Sequence, residues 1–179
     1  MIETRLDYVP NYSRPLAIFD LDGTLRNHQH RLHLVTGKKR DYEQYRLLSE
    51  LDTPNWDICK IYLSMLRGEV DRNGQTYDVQ IWTGHSFNPS EIRLHPYAWL
   101  EMNLDPTHTT EILPHVLKMR DYNDRTKDHV IKARWLDEEL TNGRDLKKII
   151  VFEDRPTVVD MWLNKGVRCV AIDQLGQIR

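Results

Sequence analysis

The stretch Leu16-Ala17-Ile18-Phe19-Asp20-Leu21-Asp22-Gly23-Thr24-Leu25 decides how the chain is read. Its first four residues form an unbroken apolar run, the pattern of a strand buried on both faces in a parallel sheet. The run ends in two carboxylates two residues apart, which share a face if the strand continues. Gly23 and Thr24 follow at once and predict a backbone that turns away after the second aspartate. Ligands of open α/β sheets bind beyond the carboxyl ends of the strands, where both aspartates would sit. Two carboxylates that close need a cation between them, or one must take a proton. The plainer reading is a strand-end aspartate in a turn beside a helix-capping aspartate. Asp-x-Asp-Gly-Thr after an apolar strand is too specific for that.

Outward from this stretch, strands alternate with helices. Residues 1–14 are polar and read as an irregular N-terminal arm. After the first strand, at about 16–20, helices are predicted over 41–51 and 56–66, and a turn at 71–74. A strand follows at 77–83, then a helix that Pro89 opens and Pro96 kinks or interrupts, running to about Met102. The second half repeats the alternation: strand 115–119, helix 127–140 ended by Asn142-Gly143, strand 148–152, helix 155–165 closed by Gly166, strand 167–172. This order predicts an α/β fold, a doubly wound and mostly parallel five-stranded sheet with helices on both faces. Residues 23–53 leave space for a flap and small insertion only, and 119–127 for a short loop. Neither accommodates a separate folded cap. A single domain over 1–179 with an open site is the expectation.

Composition narrows the function classes. The chain has 179 residues, 29% of them charged and 40% hydrophobic, enough for one globular domain with a real core. No run reaches the length of a membrane span and the start lacks a signal-peptide pattern, which predicts a cytoplasmic protein with no membrane partner. Cys59 and Cys169 sit in apolar contexts and are expected to be buried free thiols. A net charge of −2 argues against gripping long nucleic acid through many phosphates, though a local patch can still hold one phosphate or a strand end.

The predicted strand tips carry polar clusters: Asp20 and Asp22, then Thr83-Gly84-His85-Ser86, then Glu153-Asp154-Arg155. Asp124-Arg125-Thr126-Lys127-Asp128 lies at a helix start between the last two. Such a set suits phosphoryl transfer. A carboxylate nucleophile splits hydrolysis into two easier steps. A hard cation held by few carboxylates matches magnesium. Hydroxyl, lysine and arginine donors offset charge on the equatorial oxygens.

Asp20-Leu21-Asp22-Gly23-Thr24 resembles the first motif of the haloacid dehalogenase superfamily of aspartate-nucleophile phosphatases, and the later clusters match its further motifs in order. The resemblance implies a Rossmann-like sheet without a large cap, an aspartyl-phosphate intermediate and a magnesium cofactor. It implies Asp20 as nucleophile, Asp22 as general acid/base, Thr83 as phosphate-binding hydroxyl and Lys127 as charge-stabilising lysine. Lys132, more than a turn further into the helix, is the competing choice. Asp20, Asp22 and Asp154 are the implied metal ligands; Glu153 stands where many relatives carry another aspartate.

A narrower resemblance, to the 3′-phosphatase domain of phage-type polynucleotide kinase-phosphatases, lies in Met119-Arg120, Asp124 through Lys132, Glu153 through Trp162 and Gly166 through Cys169. It implies a nucleic-acid 3′-phosphate as substrate, contacted by Thr24, Arg31, Gly84, His85, Arg120, Arg125 and Arg155. His85 occupies a position where that family tends to carry arginine. Nothing in the sequence reads G-x-x-x-x-G-K-[ST], so a free-standing phosphatase module without the kinase half is expected. The alternatives are a phosphatase of free nucleotides or small phosphorylated metabolites and, in another class, a non-catalytic nucleic-acid-binding module. DNA or RNA preference and protein partners stay open.

Three other signals have competing readings. His28, His30 and His33 fit no established zinc spacing and are read as lining the substrate entrance or as solvated. Lys38-Lys39-Arg40 is either a solvated run or a contact for a nucleic-acid backbone. The aromatic residues at 42, 45, 56, 62 and 99 are expected in the core rather than as base-stacking platforms, as is Trp82.

Overall fold

The computed structural model describes residues 1–5, 7–69, 72–86, 88–104, 112–173 and 175–179. The chain runs β1 (Ile2–Thr4), β2 (Leu16–Phe19), β3 (Arg26–Asn27), α1 (Gln29–Thr36), α2 (Tyr42–Leu47), β4 (Thr53–Pro54) and α3 (Trp56–Leu66). It continues through β5 (Asp78–Ser86), α4 (Pro96–Leu104), β6 (Val116–Arg120), α5 (Asp128–Thr141), β7 (Ile149–Glu153), α6 (Pro156–Asn164) and β8 (Arg168–Ala171).

The main sheet has the order β1-β6-β5-β2-β7-β8. β2 is central and pairs in parallel with β5 and β7, Phe19 standing opposite Ile81 on one side and Phe152 on the other. Burial on both faces explains its unbroken apolar run: Ala17 and Phe19 pack toward α3 and α4, while Leu16 and Ile18 pack toward α5 and α6. The sheet therefore lies between two helical layers. The five parallel strands agree with the sequence reading. A sixth does not: Ile2–Thr4 pairs antiparallel with Val116–Lys118, so the N-terminal arm is not wholly irregular. Three residues reading Ile-Glu-Thr carry too little pattern to announce a strand; the strand forms because it covers the open hydrogen-bonding edge of β6.

Other boundaries shift for local reasons. The helix expected over 41–51 is α2, which Asp41 caps by accepting from the Gln44 N–H at 2.9 Å, followed by a 3-10 turn at Leu48–Leu51. Pro96 does not kink a helix begun at Pro89; it opens α4, after a 3-10 turn at Ile92–Leu94. The predicted turn at 71–74 is described only from Arg72 onward, where it is a turn. Tyr62 and Trp99 lie in the core, but Tyr42 and Trp56 are more than half exposed. Cys59 is buried and Cys169 half-buried, both as free thiols. Among the described residues, no helix is long and apolar enough to cross a membrane.

Residues between β2 and α3 form a small insertion. Its neck is the pairing of β3 with β4, Arg26 opposite Pro54 and Asn27 opposite Thr53. α1 and α2 lie between, and Lys38, Lys39 and Arg40 are exposed on their connection.

Candidate active site

Because β2 is flanked by β5 and β7, the three polar tips are neighbours. The Asp20 N–H continues the sheet by donating to the Phe152 carbonyl at 2.9 Å. The Asp20 carboxylate accepts from Lys132 Nζ at 2.6 Å, and the same ammonium donates to Glu153 at 2.7 Å. Carboxylate oxygens of Asp20, Glu153 and Asp154 lie within 4.8 Å of one another. Gly23, at φ 96°, passes so close to Asp154 that a Cβ would overlap its carboxylate. That is why this turn requires glycine.

Of the two candidate lysines, the structure brings Lys132 and not Lys127 to Asp20. Lys127 is the residue before α5, at φ −63° and ψ 143°, and its side chain is exposed. Lys132 shares the buried face of α5 with Ile131, Trp135, Leu136 and Glu139. A signal for it existed: one lysine in helical step with apolar residues points inward, and needs acidic partners there.

The electrostatics follow from burial. Burial, with Glu153 and Asp154 nearby, pushes Asp20 well above the usual carboxylate range despite Lys132. Burial and Glu153 raise Asp154 to about 7. Lys132 stays cationic because Asp20 and Glu153 outweigh its own burial. Three crowded, partly neutralised carboxylates fit a divalent cation: Asp20, Glu153 and Asp154 would hold magnesium, which supplies positive charge for a phosphoryl group. The Asp22 carboxylate, expected among the ligands, is not in this cluster. It accepts from Arg26 Nε at 2.8 Å and from Arg31 Nη2. Burial favours its neutral form, but the two guanidiniums hold it ionised, well below the usual range.

A pH dependence follows. The unfolded chain releases the Asp154 proton near pH 4, whereas the folded metal-free protein keeps it to about 7. Through that window the native state binds more protons, so stability falls as pH rises. A divalent cation bound there would have to displace the proton. The melting temperature in chelator is expected to fall from about pH 5 to about pH 7, and added magnesium to raise it more at the higher pH. An equal magnesium shift at both would overturn this account of Asp154.

Thr83 is buried, and its hydroxyl accepts from the His85 N–H at 3.0 Å, leaving its own hydrogen to donate. Thr24 is buried with its hydroxyl unpartnered among the described residues, so it stands behind the turn rather than at a surface. Gly84 lies against Asp128, where a Cβ would overlap the carboxylate, and its carbonyl accepts from Arg120 Nε at 3.0 Å. Arg120 and Arg155 both pair with Asp128, so neither is an unpaired rim cation. Arg125 is exposed and forms no ion pair among the described residues.

Two further expectations change. Arg31, expected against substrate, is fully buried in ion pairs with Asp22 and Asp52 and offers no exposed surface. His85 is buried against Arg26, 3.4 Å from it, and burial with that guanidinium lowers its pKa to about 3. It is neutral at pH 7; the positive charge beside Asp22 comes from Arg26 and Arg31. The His28 ring pairs with Tyr45 Oη at 2.8 Å and lies 3.9 Å from Asp154. His30 pairs with Asp52 at 2.9 Å. Arg26 and Asp52 were not singled out from the sequence, because their contacts cross the insertion and no local spacing marks them.

The family model for the polynucleotide kinase PNKP phosphatase domain, of haloacid dehalogenase type, matches residues 15–175. The chain belongs to that family. A chain of the solved Pnkp1/Rnl/Hen1 RNA repair complex is similar at 26% identity and TM-score 0.61, over 96% of this chain and 47% of that one. The present chain thus spans about half the length of that relative. A haloacid dehalogenase hydrolase of family IA, variant 3, from Entamoeba histolytica shares the fold, at 13% identity and TM-score 0.53 over 89% of this chain and 83% of the other. None of the curated proteins is a significant sequence match.

Proposed function

We propose that this phosphatase domain hydrolyses phosphomonoesters through an aspartyl-phosphate on Asp20, with magnesium, and that its substrate is a nucleic-acid 3′-phosphate. One observation carries the chemistry: at the tip of the central strand, Asp20 is held by Lys132 within a cluster completed by Glu153 and Asp154. Asp22, ionised at rest beside the two guanidiniums, takes up a proton as the anionic phosphoryl group binds next to it. An Asp20 oxygen then attacks phosphorus while the ester P–O bond breaks and Asp22 gives the leaving oxygen that proton. Water then attacks the phosphoryl group, Asp22 takes its proton, and phosphate leaves with the Asp20 carboxylate restored. Thr83 and Lys132 donate toward the phosphoryl oxygens. Membership of the PNKP phosphatase-domain family supports the substrate class, as does likeness to a chain of an RNA repair complex.

The test is kcat/KM for 3′- and 5′-phosphorylated oligonucleotides and for 3′- and 5′-mononucleotides, at two salt concentrations. The 3′-phosphorylated oligonucleotide should be preferred. Exposed cations available to the strand are few: Arg125, Lys127 and the run Lys38 to Arg40. At about 0.7 per neutralised phosphate, about three contacts give a log–log salt slope near −2. Mononucleotides turned over as well or better would replace this substrate with free nucleotides. Activity should vanish in chelator, and Asp154→Ala should raise the magnesium required.

A further inference from the structure

The structure assigns Asp52 the part of a positioning residue that shares out the two arginines so that one oxygen of Asp22 stays free for proton transfer. The assignment rests on the acid/base reading of Asp22. Asp52 lies at the return end of the insertion, one residue before the neck strand β4. Its carboxylate has no exposed surface. Arg31 Nε donates to it at 2.7 Å and Arg31 Nη2 donates to its other oxygen, while Arg26 Nε lies 3.2 Å away. Its backbone is anchored as well: the Asp52 carbonyl accepts from Trp99 Nε1 of α4 at 2.8 Å. Arg26 lies over the Trp99 ring, 5.9 Å from its centroid. Tyr45 holds Arg31 from the other side, its carbonyl accepting from Nη1 at 3.1 Å.

Both arginines reach Asp22 through the same oxygen, Oδ1. The other, Oδ2, accepts no hydrogen bond among the described residues; the neutral His85 ring lies 3.9 Å from it. A guanidinium presents five donors in a rigid fork and prefers a bidentate carboxylate. Two forks beside one carboxylate would cover both of its oxygens. Asp52 takes the bidentate pairing of Arg31 and a share of Arg26, which leaves each arginine one contact on Asp22. Two carboxylates and two guanidiniums also balance in charge, as a buried cluster must. The chain of contacts runs from α4 through Asp52 to the arginines and so to Asp22. Docking of the insertion neck thereby sets the geometry of the proton donor.

Asp52→Asn keeps the shape and removes the charge. On an alkyl phosphate, the 3′-phosphorylated oligonucleotide or a 3′-nucleotide, kcat is expected to fall about 10–100-fold, part of the roughly 10²–10⁴-fold that general acid catalysis supplies. KM should hold within about twofold, since no substrate contact is lost. An aryl phosphate, whose leaving group needs no proton, should lose much less. In the Asp22→Asn background, Asp52→Asn should add little, because it acts through Asp22. Asp52→Glu keeps the charge and so the fold, but displaces the carboxylate by one methylene; it should show the same leaving-group-dependent loss at smaller size. A loss that multiplies that of Asp22→Asn, falls equally on both esters or appears only in KM overturns the assignment. So does an Asn variant that fails to fold beside a Glu variant with wild-type kcat, since the carboxylate would then serve the fold alone. Equal losses for Asp22→Asn on the two esters overturn the acid/base reading itself, and this inference with it.

Discussion

Asp20→Asn is expected to abolish turnover, by about 10⁴-fold or more, and to leave the fold standing. An amide oxygen cannot form the acyl phosphate. The fold survives because the ionised carboxylate is not what holds this site together: burial and the neighbouring Glu153 and Asp154 already disfavour its charge. Lys132 keeps Glu153 as a partner at 2.7 Å. Between the unfolded and the raised folded pKa, ionising Asp20 subtracts stability, so the neutral amide should hold or raise the melting temperature near pH 7. Phosphate release and a thermal melt on the same preparation decide it. Turnover near the unmutated rate would remove Asp20 from the role of nucleophile. A collapsed melting temperature would show that the carboxylate is structural.

Lys132→Met should be as damaging for a different reason. The ammonium is almost fully buried between two carboxylates, and removing one partner of a buried ionic set costs about 3–5 kcal/mol. The variant should melt lower in chelator and regain part of the loss when magnesium is added, because a cation between the carboxylates replaces some of the missing charge. Turnover should stay down by about 10²–10³-fold even then, as for the loss of one preorganised donor. Lys127→Ala alters an exposed side chain with no ion pair among the described residues, and should change stability by no more than about 0.5 kcal/mol. Its aryl phosphate turnover should be unaffected. If Lys127→Ala is the inactive protein and Lys132→Met the active one, Lys127 and not Lys132 is the lysine that serves the phosphoryl group.

The two lysines show where sequence reading stops. Both lie within one segment, and the motif order is satisfied by either. The choice depends on where α5 begins and which face it turns to the sheet. Its first helical residue is Asp128, which leaves Lys127 outside and puts Lys132 in step with Ile131, Trp135 and Leu136. Helical periodicity contained that information. Proximity to the preceding motif residues pointed the other way.

By itself the sequence determined the parallel sheet, the tip positions of Asp20, Thr83 and Asp154, and the family resemblance. These are properties of short segments. An apolar run between turn residues must be a buried strand wherever it packs, and a strand end must carry its next residues to the sheet edge. Only the tertiary structure decided the surroundings of Asp22. Arg26, Arg31 and Asp52 lie far apart along an insertion with weak periodicity, and they meet because its neck closes and Trp99 of α4 pins the Asp52 carbonyl. The same holds for Ile2–Thr4, a strand only because β6 offers it an edge, and for His85, made neutral by burial against Arg26. Charge, exposure and free donors at such positions depend on partners distant in the chain, and local composition does not encode which partners those are.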